Sequence, residues 1–304
     1  MIAASIRIAA IVAGVLLAER LLRDARSRYR LLIAAIAGMF LPPLFAAPWL
    51  ERATNATEAI APRNVPLFTL IYVAGVVVCS IRFVLELRAI ARMRSRCEPL
   101  GDGVLVSDDD CGPLATGIFR PAIILPRRAL ASLSADELQI VIAHERIHID
   151  RRHLVVAYAM RIAQIVWWFN PFVALLAKAE RRVREEVCDE LVIDEGIARD
   201  AYCETLLRAT AAGLGEPILL AAAFAQTHPL ASRLTRIMTT HRRDGRIAKL
   251  VTLAVAIAIV ITQLGAAPPI HSPDLSAEDE RRIDAIDYFA DDSPSPSPSP
   301  SPSP

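Results

Sequence analysis

Apolar segments of membrane-crossing length are the feature that most restricts how this chain can fold. Three of them lie at residues 2–18, 31–50 and 66–86, and a fourth lies at 248–266. Each is close to the ~20 residues that a helix needs to cross a hydrocarbon core. Hydrophobic residues make up 54% of the chain, above the roughly 45–50% of an average soluble domain. The sequence therefore predicts four transmembrane helices.

The arginines between these segments predict the orientation. Residues 19–30 contain five arginines and residues 88–96 contain four, whereas the link between the second and third segments contains only Arg52 and Arg63. Lys and Arg favour cytoplasmic loops, so the N-terminus and the C-terminal tail are predicted to lie outside and residues 88–246 inside. The chain is thus predicted to be a multi-pass membrane protein with its central domain in the cytoplasm. A cleaved signal peptide is the less favoured interpretation of residues 1–18, because the basic residues follow the apolar run.

The chain is divided accordingly into four parts. Residues 1–90 hold three N-terminal transmembrane helices, 91–246 a cytoplasmic domain, 247–266 the fourth transmembrane helix, and 267–304 a tail that ends in a Ser-Pro repeat. The repeat has nothing apolar to bury and predicts disorder outside the membrane. A formal net charge of +1 gives no reason to expect nucleic acid binding. The five cysteines include no CxxC pair, which argues against a thiolate zinc knuckle.

Two helix starts and two strands organise the cytoplasmic domain. The β-branched runs at 103–107 and 122–126 predict strands of a small sheet. Ser134 followed by Glu137 predicts a capping box at the start of a helix. Asn170-Pro171 predicts another helix start, so the apolar helix at 154–168, expected to be partly membrane-associated, should end there.

The capped helix contains His144-Glu145-Arg146-Ile147-His148, which matches the HExxH pattern. Residues four apart share one face of a helix, so the imidazoles of His144 and His148 can converge on one Zn²⁺. Glu145 lies beside them, where it can take a proton from the attacking water and pass it to the leaving amine. The pattern predicts zinc-dependent peptide hydrolysis.

A catalytic zinc site needs a third protein ligand, and Glu185-Glu186-Val187-Cys188-Asp189 offers three. Glu185 is the first choice, because Asp189 lies one turn further along and can accept a hydrogen bond from the outer nitrogen of a zinc histidine. Glu186 is the second choice, and Cys188 remains an alternative because thiolates also bind zinc. A competing interpretation is that Glu185 and Asp189 belong to a solvated acidic helix face.

Other candidates are weaker. His153 falls off the HExxH face and is predicted to be a surface or interface histidine. Arg233 and His228 are candidates for stabilising the transition state only because they lie in the same cytoplasmic region.

The motifs together resemble the BlaR/MecR family of membrane metallopeptidases, the signal transducers of β-lactam resistance and their sensorless relatives. The resemblance covers residues 66–264 and is carried by GIFRPAIILP, SADELQIVIAHERIHIDRRH, WWFNPFV and REEVCDELV, in that order. It implies a gluzincin fold with Zn²⁺ bound by His144, His148 and Glu185. Glu145 would be the general base or acid, and Asp189 the supporting carboxylate.

The sequence departs from the family pattern in two places. Family members usually show a basic-basic-Asp pattern after the second histidine, where this chain has Arg151-Arg152-His153, so the role of that Asp would fall to Asp150 or be lost. The antibiotic receptors also carry a large external penicillin-binding domain after the last span, whereas a short tail follows here. Sensing of β-lactams by acylation is therefore not predicted.

The combined prediction is a mainly α membrane protein with four transmembrane helices and a cytoplasmic gluzincin-type HExxH domain that contains a small β-sheet. The lipid bilayer and a protein substrate are its expected partners, without direct nucleic acid binding. By resemblance, the substrate is a cytoplasmic winged-helix transcriptional repressor or the protein itself. Two alternatives remain: a peptidase for membrane-protein quality control, and a non-catalytic membrane signalling scaffold. An intact Glu145 argues against the scaffold, because a structural zinc site needs no base.

Overall fold

The computed structural model describes residues 2–45, 67–109, 111–212, 230–239, 250–255 and 257–258. The fold is mostly helical with one small mixed sheet. Its N-terminal part contains three helices: α1 (Ile2–Leu21), α2 (Ala25–Phe45) and α3 (Leu67–Arg96). The predictions for the Ser-Pro tail, for His228 and for most of the fourth apolar segment fall outside the described residues.

Among the described residues, α3 is the one helix that has the length and composition to cross a membrane. Its apolar side chains are exposed along most of its length, as at Phe68, Val73, Val77 and Ile81. Such exposure fits a lipid environment better than water. By contrast, α1 and α2 share a core with the domain that follows, in which Val12, Leu32 and Leu176 pack in one cluster.

A four-stranded sheet follows α3. It contains β1 (Glu98–Gly101), β2 (Val104–Ser107), β3 (Leu114–Thr116) and β4 (Ala122–Pro126) in the order β1-β2-β4-β3. Strands β2 and β4 are parallel, and the other pairs are antiparallel. The two β-branched runs are thus confirmed as strands, and β3 lies at an edge.

Six helices follow the sheet as far as Met238: α4 (Arg127–Ser132), α5 (Ala135–Asp150), α6 (His153–Val166), α7 (Pro171–Asp194), α8 (Arg199–Ala212) and α9 (Leu230–Met238). The described residues 250–255 and 257–258 are also helical. Both predicted helix starts are confirmed. The Ser134 hydroxyl accepts from the backbone N–H of Glu137 at 3.3 Å, and the Glu137 carboxylate accepts from the N–H of Ser134 at 2.8 Å. The Asn170 side chain accepts from the N–H of Phe172 at 3.0 Å, with Pro171 as the first residue of α7.

Ion pairs join the end of α1 and the start of α2 to α7, and the pairs of Arg28 are buried. Arg28 donates from Nη1 to Glu186 at 2.5 Å and from Nε to Glu19 at 3.0 Å. Glu19 also accepts from Arg182 of α7 at 2.6 Å. Arg26 pairs with Asp194 at the end of the same helix. The Arg-rich connection therefore lies against the domain that contains the HExxH motif.

Candidate metal centre

Helix α5 places the HExxH residues at the middle of the fold. His144 and His148 are one turn apart on the same face, with ring centroids 5.2 Å apart. His144 is buried, and His148 and Glu145 are partly exposed. The helix is held at its start by the capping box and packs against α6, α7 and α8, so the two imidazoles are fixed relative to the rest of the domain.

Helix α7 brings Glu185 to the same point. Its Oε2 lies 3.5 Å from Nε2 of His144, and its Oε1 lies 3.7 Å from Nε2 of His148. Ligand atoms 2.0–2.1 Å from a tetrahedral zinc ion lie about 3.3–3.4 Å from one another. The two distances from the Glu185 carboxylate to the imidazoles are close to this spacing, and the donor types fit zinc.

Glu186, the second choice for a ligand, points the other way. It is 4% exposed and lies between Arg28 of α2, at 2.5 Å, and Nε of Arg236 of α9, at 3.3 Å. Consecutive helical residues point about 100° apart, so α7 directs one carboxylate to the histidines and the next to the arginines. The geometry favours Glu185 as the third ligand.

Cys188 also lies beside the histidines. Its Sγ is 3.6 Å from Nε2 of His148, and ligand atoms of His144, His148 and Cys188 all lie within 4.8 Å of one another. Burial raises the pKa of the Cys188 thiol well above its ordinary value, and the carboxylates of Glu185 and Asp189 raise it further. Because a bound metal removes the proton of a coordinating thiol, Cys188 stays an alternative to Glu185 as the third ligand.

The outer nitrogen of His144 meets a tyrosine. Nδ1 of His144 lies 2.8 Å from the hydroxyl of Tyr202 of α8, and that hydroxyl donates to Oδ1 of Asp189 at 2.8 Å. The direct distance from Nδ1 of His144 to Asp189 is 3.8 Å. Asp189 was expected to accept from the histidine itself, but it acts through Tyr202. The chain of bonds places the proton on Nδ1 and leaves the Nε2 lone pair for the metal.

Arg233 of α9 holds the other side of Asp189. Its Nε donates to Oδ2 at 3.0 Å and its Nη2 to Oδ1 at 2.6 Å, a two-bond pairing that fixes the carboxylate. Nη1 of Arg233 also lies 3.6 Å from Glu185. Arg233 therefore positions the carboxylates of Asp189 and Glu185 at the candidate metal site.

The outer nitrogen of His148 has a different partner. Its Nδ1 lies 3.2 Å from Nδ1 of His153, at the start of α6. His153 is 2% exposed, so the prediction of a surface histidine is wrong. Burial lowers the pKa of His153 to about 3, which leaves the ring neutral and able to accept the N–H of His148. Asp150, the other candidate for this role, is exposed.

Glu145 occupies the side of the centre next to the sheet. Helix α5 packs against the edge strand β3. Burial raises the pKa of Glu145 above the ordinary value, and the backbone N–H of Ala115 on β3 offsets part of this rise. Burial also lowers the pKa of His148 well below its usual range, so that imidazole is neutral, as a ligand must be. For Glu185, burial alone would raise the pKa, but the facing imidazoles and Arg233 hold it well below the ordinary value.

Replacement of Tyr202 by Phe should weaken metal binding while preserving the fold. The ring stays in place, but Nδ1 of His144 and the Asp189 carboxylate both lose a buried partner, since Tyr202 is only 1% exposed. Loss of such a partner costs roughly 10–100-fold in metal affinity. Competition of the purified variant against a chelator measures this. Tyr158→Phe, on α6, removes a hydroxyl away from the centre and should leave the affinity unchanged.

Sequence reasoning missed Tyr202 and misplaced His153. Tyr202 lies 58 positions after His144 in the chain, and no local pattern connects them. His153 carried a signal, because it stands where the basic-basic-Asp pattern has its Asp, and the structure places it against the second histidine.

Comparisons with known proteins identify the family of the chain. Over 81 residues the chain is 38% identical to the regulatory protein BlaR1 of Bacillus licheniformis and 25% identical to the methicillin resistance mecR1 protein of Staphylococcus aureus. The aligned part is 27% of this chain and only 13% and 14% of these relatives. The model of one family, described as BlaR1 peptidase M56, matches residues 44–237. Since this match covers more than half of the chain, the protein belongs to the BlaR1 peptidase M56 family.

Proposed function

We propose that the chain is a membrane-embedded zinc endopeptidase. The observation that carries the proposal is the convergence of His144, His148 and Glu185 at zinc-ligand spacing, with Glu145 adjacent to the ligand set and outside it. Each histidine has its outer nitrogen within hydrogen-bond reach of a buried side chain, Tyr202 or His153. Such partners orient the rings for a metal. A solvated acidic helix face, the competing interpretation, would not place Asp189 at 4% exposure.

The residues around the centre fit peptide hydrolysis. Zinc, when bound, acts as a Lewis acid and lowers the pKa of water. Glu145, with a raised pKa, is placed to accept the proton of the attacking water and to deliver it to the leaving nitrogen. Tyr202 and His153 hold the two imidazoles in the tautomer that faces the ion.

The edge of the sheet offers a place for the substrate backbone. Strand β3 is at the edge of the sheet and lies against α5, the helix that contains Glu145. A substrate segment in extended form can pair with this edge by main-chain hydrogen bonds, a common mode of peptide recognition. We propose that the scissile peptide lies between β3 and α5.

The membrane arrangement and the biological role are part of the same proposal. We propose four transmembrane helices in a bacterial inner membrane, with the catalytic domain cytoplasmic and both termini outside. Because relatives are named as a regulatory protein and as methicillin resistance proteins, we propose signalling by cleavage of a cytoplasmic winged-helix repressor or of the protein itself.

Metal analysis combined with a cleavage assay tests the activity. The full chain, purified in mild detergent under metal-replete conditions, should contain about one zinc per molecule. It should cleave an unstructured protein such as casein, lose this activity with a chelator and recover it with zinc. Protein that binds no zinc, or that binds zinc and cleaves neither casein nor itself, would favour the non-catalytic scaffold.

A further inference from the structure

The end of α6 and the start of α7 form a hairpin without charge. Residues 162–177 contain no Asp, Glu, Lys or Arg. The side chains exposed along this stretch are all apolar: Ile162, Trp168, Phe169, Pro171, Ala174 and Leu175. An exposed surface in water carries polar residues among the apolar ones. Six exposed apolar residues around one turn between helices therefore point to a partner that is itself apolar.

Contacts with α3 give the level of this hairpin relative to the membrane span. The hydroxyl of Tyr72 donates to the carbonyl of Val166 at 3.1 Å, and the rings of Tyr72 and Phe169 lie 6.0 Å apart. A Cβ on Gly75 would collide with the indole of Trp168. The turn between α6 and α7 therefore lies beside Tyr72–Gly75, well inside the apolar part of α3.

The base of the hairpin is fixed at the other end of the span. Arg161 of α6 donates two hydrogen bonds to Glu86 of α3, at 2.5 and 2.7 Å, and the rings of Phe83 and Tyr158 lie 6.1 Å apart. Glu86 is the last residue of the apolar run 66–86 and follows Tyr72–Gly75 by 11 to 14 positions. At 1.5 Å per residue the turn lies about 16–21 Å beyond Glu86, more than half of a hydrocarbon core of ~30 Å.

The polar groups of Asn170, in this turn, have partners within the protein. The side-chain amide of Asn170 donates to the carbonyl and the hydroxyl of Ser5 on α1, at 3.2 and 3.1 Å, and its oxygen caps α7 at Phe172. The backbone N–H of Asn170 donates to the carbonyl of Trp167 at 2.9 Å. Non-helical backbone at membrane depth is tolerated only where the protein satisfies it in this way.

We propose that α6 and the first half of α7 form a re-entrant hairpin, which enters the lipid from the side of the metal centre and returns to that side. Its lipid-facing surface is continuous with the exposed apolar face of α3. Both helices contribute a residue to the candidate metal site: His153 at the start of α6 and Glu185 in the second half of α7. Since His153 precedes Arg161 by eight positions, the metal centre lies about 12 Å from the level of Glu86. If the proposed peptidase function holds, its substrate is a protein segment presented at the inner membrane surface.

Tryptophan quenching in lipid tests the hairpin. A variant that keeps Trp168 alone, with Trp49→Phe and Trp167→Phe, is reconstituted into vesicles with lipids brominated either near the chain midpoint or near the headgroup. We expect stronger quenching by the midpoint bromines and protection from aqueous acrylamide. In the same background, Trp168→Phe with Phe119→Trp is the aqueous control, because Phe119 is 96% exposed on the β3–β4 loop. Trp168→Phe with Phe68→Trp, at the far end of α3, should prefer the headgroup bromines.

Quenching of Trp168 by acrylamide but by neither lipid would overturn the proposal. Because loss of Trp167 from the core can impair folding, a photo-crosslinking amino acid at position 175 in the otherwise unchanged chain provides a second measurement. Adducts with lipid at 175, and none at 119, are expected. Adducts with a second protein chain would assign the surface to a protein partner and overturn the hairpin. Neither measurement needs bound zinc or activity, so the hairpin and the peptidase can fail independently.

Discussion

Replacement of Glu145 by Gln should abolish peptide hydrolysis without removing the metal. Gln keeps the size of the side chain, but it cannot take a proton from water. General base catalysis typically contributes 10²–10⁴-fold to rate, so we expect a loss of about that size or more. Zinc should stay at the wild-type level, because the ligands His144, His148 and Glu185 are unchanged. Single-turnover cleavage and elemental analysis of the same preparation measure both quantities.

Asp136→Asn is the matched control for this variant. It makes the same change of carboxylate to amide on the same helix, at an exposed residue of the first turn, and should retain full activity and zinc. Loss of zinc in Glu145→Gln would indicate that Glu145 is a ligand. It would then contradict the assignment of Glu185 as the third ligand. Full activity in Glu145→Gln would contradict its role as the base.

The local parts of the fold could be predicted from the sequence because neighbouring residues determine them. The capping box of Ser134 and Glu137, the Asn170-Pro171 helix start and the strands β2 and β4 all follow from side chains within a few positions of one another. The HExxH pattern belongs to the same class, because the pitch of the helix alone puts both imidazoles on one face.

The parts that could not be predicted depend on contacts between distant segments. Tyr202 reaches His144 because α8 packs on α5, and the 58 positions between them carry no periodic signal. Likewise, the arginines of 19–30 were interpreted only as a signal of orientation, yet Arg28 is buried against Glu186, 158 positions later. A count of charges cannot tell a solvated arginine from a paired one.

The adjacent carboxylates Glu185 and Glu186 should have opposite effects when each is replaced by Gln. Glu185 faces both Nε2 atoms, so Glu185→Gln should lose zinc, with a drop in affinity larger than the roughly 10–100-fold cost of removing a hydrogen-bond partner of a ligand. Its fold should persist, because Glu185 is partly exposed. Glu186 instead neutralises Arg28 and Arg236 inside the protein. Glu186→Gln should keep zinc and lose stability.

The expected loss of stability follows from the cost of an unpaired buried charge. Removing one partner of a buried ion pair costs about 3–5 kcal/mol. Arg28 retains Glu19, and Arg236 retains Glu190, so the lower end of this range applies. Thermal unfolding in detergent, followed by far-UV circular dichroism, should show a lower midpoint for Glu186→Gln than for Glu185→Gln. Zinc content, measured on both, should show the reverse order.

A third variant, Cys188→Ser, completes the comparison. Because the Glu185 carboxylate already faces both Nε2 atoms, this change should leave zinc content near the wild-type level. If Cys188→Ser loses zinc while Glu185→Gln keeps it, the ligand set is His144, His148 and Cys188. If Glu186→Gln loses zinc instead, the third ligand lies one residue further along α7, and the chain must rotate that helix away from Arg28 to bind metal. If zinc is lost in Glu185→Gln and in neither of the other two variants, α7 presents Glu185 to the metal and Glu186 to Arg28 of α2.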